Sequence, residues 1–88
     1  MSVFMVERSL KGIPMDQLAA AQQSAIRTAA EMTAAGTPVK YLRSTFVPED
    51  GRCMCLFESG SAEAVEALNR KAQIPFDSVR PALDLPAP

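Results

Sequence analysis

The sequence predicts an α+β fold whose strands and helices follow the order β-α-β-β-α-β, and three observations support it. Residues 16–35 form a long helical pattern without glycine or proline. Two segments of strand-favouring residues flank a Pro-Glu-Asp-Gly turn at residues 48–51, and a second, shorter helical pattern follows them. The chain has 88 residues, the length of one domain, for which we expect residues 1–84, with a proline-rich tail at 85–88.

The first half of the chain contains residues that mark where its strand and its helix begin and end. Residues 3–8 are short, apolar and strand-favouring. Pro14 suits the first turn of the helix predicted over 16–35, which carries a narrow apolar stripe at three- and four-residue spacing. Gly36 and Pro38 predict the end of that helix.

The second half supplies three strands and one helix. Residues 39–47 and 52–58 are predicted to form a hairpin around the turn with the Asp-Gly signal. Ser61 is a suitable N-cap for a helix over 62–72, and residues 78–83 form the last strand. This order predicts the ferredoxin-like sandwich, a four-stranded antiparallel sheet with two helices on one face.

The hairpin turn sets which side chains share a face of the sheet. A four-residue turn pairs Val47 with Arg52 and, counting back, Tyr41 with Glu58. One face is then mostly apolar and is expected under the helices: Phe4, Val6, Leu42, Ser44, Phe46, Cys53, Cys55 and Phe57. Arg8 falls in that set by position but fits it poorly. The opposite side, here called the open face, is mixed: Val3, Met5, Glu7, Tyr41, Arg43, Thr45, Met54, Leu56 and Glu58.

The open face predicts a partner, because an apolar band is rarely left in water. Its apolar members are Val3, Met5, Met54 and Leu56, and the chain has no further element to cover them. We therefore expect a homodimer packed sheet against sheet. Our first hypothesis for function is a binding protein whose cavity between the facing sheets holds a small, partly apolar ligand.

Composition excludes several classes of function. The chain contains no histidine, which removes Ser-His and Cys-His catalysis and all metal sites built on imidazole. A formal net charge of -1 gives no basic surface for nucleic acid or an anionic membrane. No apolar run approaches the roughly 20 residues of a spanning helix, and no export signal precedes the first strand. We expect a cytoplasmic protein with reduced thiols.

Two carboxylates form the best chemical lead. Glu7 and Glu58 are expected to end central, parallel, neighbouring strands, where two carboxylates side by side share a proton or bind a cation. With Arg43 or Tyr41 as anion stabiliser, this set suits our second hypothesis, a cofactor-free dimeric α+β barrel enzyme of the isomerase or monooxygenase kind that transfers protons. The simpler interpretation, which we prefer, is that Arg43 neutralises one carboxylate and both are interface charges.

The cysteines offer a weaker lead. Cys53 and Cys55 form a Cys-x-Cys pattern that suits a soft metal, but a zinc or iron–sulfur site normally needs four such ligands. We prefer the interpretation that both cysteines are small core residues. Two cysteines at i,i+2 spacing on a strand are not expected to form a disulfide with each other. Our third hypothesis is a metal site that combines Glu7 and Glu58 with the Cys55 thiolate.

Short segments along the chain carry a family resemblance, in this order: 4–8 (FMVER), 41–44 (YLRS), 50–52 (DGR), 55–58 (CLFE), 64–65 (AV) and 74–79 (IPFDSV). Together they resemble a family of small bacterial proteins of unknown function known as nickel-binding-protein-like. The resemblance implies a ferredoxin-like dimer and nickel as a possible cofactor. Nickel sites favour imidazole, so any family ligand that is histidine has no counterpart here. The matched positions bring no established catalytic role: Glu7, Arg8, Tyr41, Ser44, Cys55 and Glu58.

Overall fold

Four strands and two helices account for most of the chain. The structure, a computed structural model, describes residues 1–88. Its elements are β1 (Ser2–Ser9), α1 (Met15–Ala34), β2 (Val39–Val47), β3 (Arg52–Ser59), α2 (Ala62–Lys71) and β4 (Ser78–Ala82). The predicted order is confirmed, and every predicted boundary lies within one residue of the observed one. Neither helix is both long enough and apolar enough to cross a bilayer.

The four strands form one antiparallel sheet in the order β2-β3-β1-β4. This is the predicted ferredoxin-like arrangement. The expectation that β1 and β3 are parallel is wrong, since they are central neighbours that run in opposite directions. Their carboxyl ends therefore lie at opposite ends of the sheet.

The hairpin register agrees with the prediction over only part of its length. Pairing runs as expected from Val47 opposite Arg52 to Arg43 opposite Leu56. A β-bulge then lies between Tyr41 and Arg43, so that Tyr41 pairs with Phe57 instead of Glu58. The shift carries the tyrosine from the open face to the face covered by the helices.

Tyr41 itself provides a physical reason for the bulge. Its ring packs edge-on against Phe57, with centroids 5.4 Å apart and an interplanar angle of 76°. Its hydroxyl accepts a 2.9 Å hydrogen bond from Gln22 Nε2 of α1. On the open face the aromatic ring would lose both contacts, so packing overrides the simple count of residues from the turn.

The helix ends follow the local signals in the sequence. Gly36, with φ of 101°, sits just past α1, and its N–H donates to Thr33 O at 3.1 Å. The Thr37 N–H donates to Met32 O at 2.9 Å, which completes a Schellman motif. At the start of α2, Ser61 Oγ accepts from the Ala64 N–H at 3.2 Å, as predicted for an N-cap.

The core lies between the helices and the sheet. Twelve apolar residues are buried there: Phe4, Val6, Ala25, Ala29, Met32, Val39, Cys53, Cys55, Phe57, Val65, Leu68 and Ile74. Both cysteines are free thiols within this core, as their predicted face required. Arg8 is also buried on this side, despite its charge.

Beyond β4 the chain reaches over the open face. Asp84 lies two residues past the end of β4, yet it pairs at 2.5 Å with Arg43 of β2, the strand at the opposite edge. Neighbouring strands lie about 4.8 Å apart, so these two edge strands are roughly 14 Å apart. The ion pair therefore bridges across β1 and β3. Residues 85–88 are exposed and belong to no helix or strand.

Candidate functional site

A cavity of about 220 Å³ lies between the N-terminal half of α1 and the sheet. Eleven of its fourteen lining residues are hydrophobic. Helix α1 forms one wall, the ends of β1, β2 and β3 form the other, and Ile74 closes one side. A cavity of roughly 150 Å³ with apolar walls is known to accept benzene, so this one has room for a small organic molecule.

The cavity exists because small side chains face each other across the helix–sheet interface. On its inner side α1 contributes Ala21 and Ala25, and the opposing strands contribute Ser44, Cys53 and Cys55. Protein interiors are normally filled to the density of organic crystals. Small side chains on both walls leave space that larger side chains would fill. This pairing of small residues is the sequence signal that could have located the cavity.

A chain of polar contacts runs along one wall of the cavity. The hydroxyls of Tyr41 and Ser44 are 2.5 Å apart, and Ser44 Oγ donates to Cys55 Sγ at 3.0 Å. Cys55 Sγ lies 3.8 Å from Cys53 Sγ. Burial, reinforced by the neighbouring Cys55, raises the pKa of Cys53 from 9.0 to about 11. Cys53, at the buried end of these polar contacts, is therefore a neutral thiol at physiological pH.

Arg8 is the charged residue that lines the cavity, and it is not among the site residues predicted from the sequence. Only 4% of it is exposed. Its guanidinium donates to Asn69 Oδ1 at 2.8 Å and to Pro75 O at 3.1 Å, and Asn69 is held in turn by a 2.8 Å bond from its Nδ2 to Val65 O. Both acceptors of the arginine are neutral, and none of the four ion pairs in the protein includes it.

The predicted carboxylate pair is not formed, which corrects the proton-sharing hypothesis. Glu7 lies opposite Met54, whereas Glu58 lies opposite Val3, four residues farther along the same strand pair. At about 3.3 Å per residue the two positions are roughly 13 Å apart. The cause is the antiparallel pairing of β1 and β3.

The remaining members of that set are also dispersed. Glu7 is held by Arg52 at 2.8 Å and by Arg80, so Arg43 does not neutralise it as expected. Arg43 pairs instead with Asp84. Tyr41 lies on the opposite face because of the bulge. The four predicted catalytic candidates therefore do not converge on one substrate position within the chain.

The predicted metal ligands are separated in the same way. Glu7 and Glu58 lie on the open face, near opposite ends of the sheet, whereas Cys55 is buried beneath the helices. No group of three or more acidic, cysteine or histidine side chains lies close enough together to hold a metal ion. The chain by itself thus does not assemble the carboxylate–thiolate site of the third hypothesis.

Comparison with known proteins adds a family and a solved structure. The family model described as nickel responsive protein SCO4226-like matches residues 4–81. The crystal structure of SCO4226 from Streptomyces coelicolor A3(2) is similar over 98% of this chain and 100% of that chain, with a TM-score of 0.79 and 29% sequence identity. A search of curated proteins finds no match.

Proposed function

The chain belongs to the SCO4226-like family of nickel-responsive proteins, and on that premise we propose that it is a binding protein for a small, largely apolar organic molecule. The site is the cavity beneath α1. The observation that carries the proposal is an apolar cavity with a few polar groups confined to its walls, the usual composition of a small-molecule site.

Nickel is named in the family description, but the residues of this chain do not fit a nickel site. Histidine is missing, and no three potential ligands lie together. The two thiols are adjacent, but both are buried and the pKa of Cys53 is raised, which opposes the thiolate that a metal requires. An organic ligand agrees better with these side chains than a metal ion does.

A neutral apolar probe tests the proposal directly. Tyr41 is the one tyrosine, the chain has no tryptophan, and Tyr41 lines the cavity, so its fluorescence reports on occupancy. Titration with hexanol is expected to give a saturable change in this fluorescence. Isothermal titration calorimetry provides an independent measurement of the same affinity.

A matched pair of variants locates the binding. Ala21→Leu adds three carbon atoms inside the cavity and is expected to abolish the response. Ala20→Leu makes the same change at the preceding, exposed residue outside the cavity and should bind as the parent protein does. Binding that survives Ala21→Leu unchanged, or a parent protein that shows no saturable response, would show that the cavity is not the site.

The open face supports a second proposal, that the protein acts as a homodimer. Val3, Met5, Met54 and Leu56 are half-buried on the side that no helix covers and that the Arg43–Asp84 ion pair crosses. The surrounding ion pairs carry both signs of charge, including Glu7 with Arg52 and Arg80. A surface that carries both positive and negative charges can complement a second copy of itself across a two-fold axis. This favours a second copy of the chain as the partner that covers the open face.

The mass in solution tests the dimer. Light scattering coupled to size exclusion is expected to give twice the chain mass for the parent protein. Leu56→Lys, which places a charge at the centre of the open face, should give a monomer that keeps its circular dichroism spectrum. Ile26→Lys, at an exposed position on α1, is the control that should remain dimeric. A monomeric parent protein would overturn this proposal.

A further inference from the structure

The buried guanidinium of Arg8 is a positive charge that the protein does not neutralise. Charged residues are almost never fully buried without an opposite charge. Here the two protein acceptors are an amide oxygen and a backbone carbonyl, and no carboxylate lies within ion-pair distance. The Arg8 guanidinium therefore lacks the carboxylate that would complete an ion pair.

Arg8 also retains unused hydrogen-bonding capacity. A guanidinium carries five N–H donors, and only two hydrogen bonds to protein acceptors are formed. Asn69 and Pro75 hold the group from the side of α2 and the segment that follows it, while the same residue lines the cavity beneath α1. Among the lining residues Arg8 is the one that carries a full charge, so an anionic group in the cavity would pair with it.

No carboxylate lines the cavity to supply the missing charge. Its remaining polar members are the Gln22 amide, the Tyr41 and Ser44 hydroxyls and the two thiols. Burial raises the pKa of Cys53 to about 11, so this thiol is neutral at physiological pH. The walls are otherwise apolar and suit a hydrocarbon body.

We propose that the cavity binds a small apolar carboxylate, with the carboxylate paired to Arg8 and the hydrocarbon body between α1 and the sheet. A planar guanidinium matches a carboxylate in shape and can donate two parallel hydrogen bonds to it. This assignment rests on the proposed function, since it takes the same cavity as the binding site and adds the chemical class of the ligand.

Hexanoate and hexanol test the assignment, because they differ only in the head group. Calorimetry and Tyr41 fluorescence at neutral pH are expected to show that hexanoate binds at least about tenfold more tightly than hexanol. Arg8→Met removes the charge and keeps an unbranched apolar side chain, and it should abolish this preference. Ala21→Leu should abolish binding of both compounds.

The possible outcomes separate the proposal that the cavity binds an organic molecule from the assignment of that molecule as a carboxylate. If neither compound binds, the cavity is not a ligand site and both proposals are wrong. If both bind with equal affinity, the cavity proposal stands and the carboxylate assignment is wrong. A preference for hexanoate that persists in folded Arg8→Met, or in Ala21→Leu, also overturns the assignment, because the anion then binds elsewhere.

A second variant tests the role of Arg8 without removing it. Asn69→Asp places a carboxylate where the amide oxygen lies 2.8 Å from the guanidinium, and so supplies the missing charge from within the protein. Its expected effect is loss of the preference for hexanoate while hexanol still binds. An unchanged preference in this variant would contradict the assignment even if Arg8→Met did not fold.

Discussion

Replacing Gly51 with alanine tests how the β2–β3 turn is attached to the loop that borders the cavity. Gly51 has φ of 77°, and a Cβ at this position would lie 2.2 Å from Lys11 Cα and 2.3 Å from Lys11 N. The neighbouring Leu10 N–H donates to Gly51 O at 2.7 Å, and Leu10 lines the cavity. Two backbones therefore touch at a point that only glycine permits.

Gly36 provides the matched control. It has φ of 101°, and an added Cβ would meet no atom within 4 Å. Gly36→Ala thus measures only the cost of a positive φ, which is about 1–2 kcal/mol for an L-residue. Gly51→Ala carries the same backbone cost plus the overlap with Lys11.

The overlap between the added Cβ and the Lys11 backbone determines how much stability Gly51→Ala loses. Carbon atoms in good contact lie about 3.5–4 Å apart, so the two backbones must separate by about 1 Å or more. That movement breaks the Leu10–Gly51 hydrogen bond, worth about 1 kcal/mol, and opens the packing around it. We expect Gly36→Ala to lower the free energy of unfolding by about 1 kcal/mol and Gly51→Ala to lower it by about 3 kcal/mol or more.

Urea denaturation measures both free energies, and thermal melts check them. In a domain of this size each kcal/mol lowers Tm by about 4–8 °C, so Gly51→Ala should melt at least about 12 °C below the parent protein. Hexanol binding should weaken in Gly51→Ala alone, because Leu10 moves with the turn. Equal stability losses in the two variants would refute the close contact between Gly51 and Lys11.

Three further predictions concern single side chains, and one concerns nickel. Tyr41→Phe keeps the ring contact and should cost under about 1 kcal/mol in urea denaturation, whereas Tyr41→Ala should cost at least about 2 kcal/mol; equal losses would contradict the packing role of the ring. Because the folded-state pKa of Cys53 is raised from 9.0 to about 11, its contribution to stability is present below pH 9 and is lost as the pH rises towards 11. Between pH 9 and 11 the free energy of unfolding of the parent protein, measured by urea denaturation, should fall more steeply than that of Cys53→Ala. If the two free energies change in parallel with pH, the pKa of Cys53 is not raised. Glu7→Gln should cost about 1 kcal/mol at low ionic strength and less at high salt, as measured by urea denaturation in each buffer. Saturating nickel chloride should leave Tm unchanged, and a concentration-dependent rise would contradict the misfit of these residues to a metal site.

The fold could be predicted because its signals are local. Gly36, Ser61 and the Asp-Gly turn each mark a boundary through backbone chemistry that does not depend on distant residues. The order of the elements then leaves few arrangements. Local information was therefore sufficient for the elements and their sequence.

The site could not be predicted because its determinants are tertiary. The bulge beside Tyr41 depends on Phe57 and Gln22, which are distant in sequence, and residue counting from the turn cannot detect it. The separation of Glu7 from Glu58 follows from the antiparallel direction of β1 and β3, whereas the prediction requires parallel strands. Strand alternation places Arg8 on the covered face, but only the structure identifies its acceptors, Asn69 and Pro75.

The two outer strands of the sheet determine how copies of this chain can assemble. At one edge β2 is interrupted by the bulge between Tyr41 and Arg43. At the other edge β4 is only five residues long and contains Pro81, which has no N–H to offer an incoming strand. Both edges are therefore poor templates for adding a fifth strand, and growth of the sheet in its own plane is blocked. The protein should resist conversion to fibrils at high concentration, since neither edge offers a regular, uninterrupted strand to a neighbouring chain.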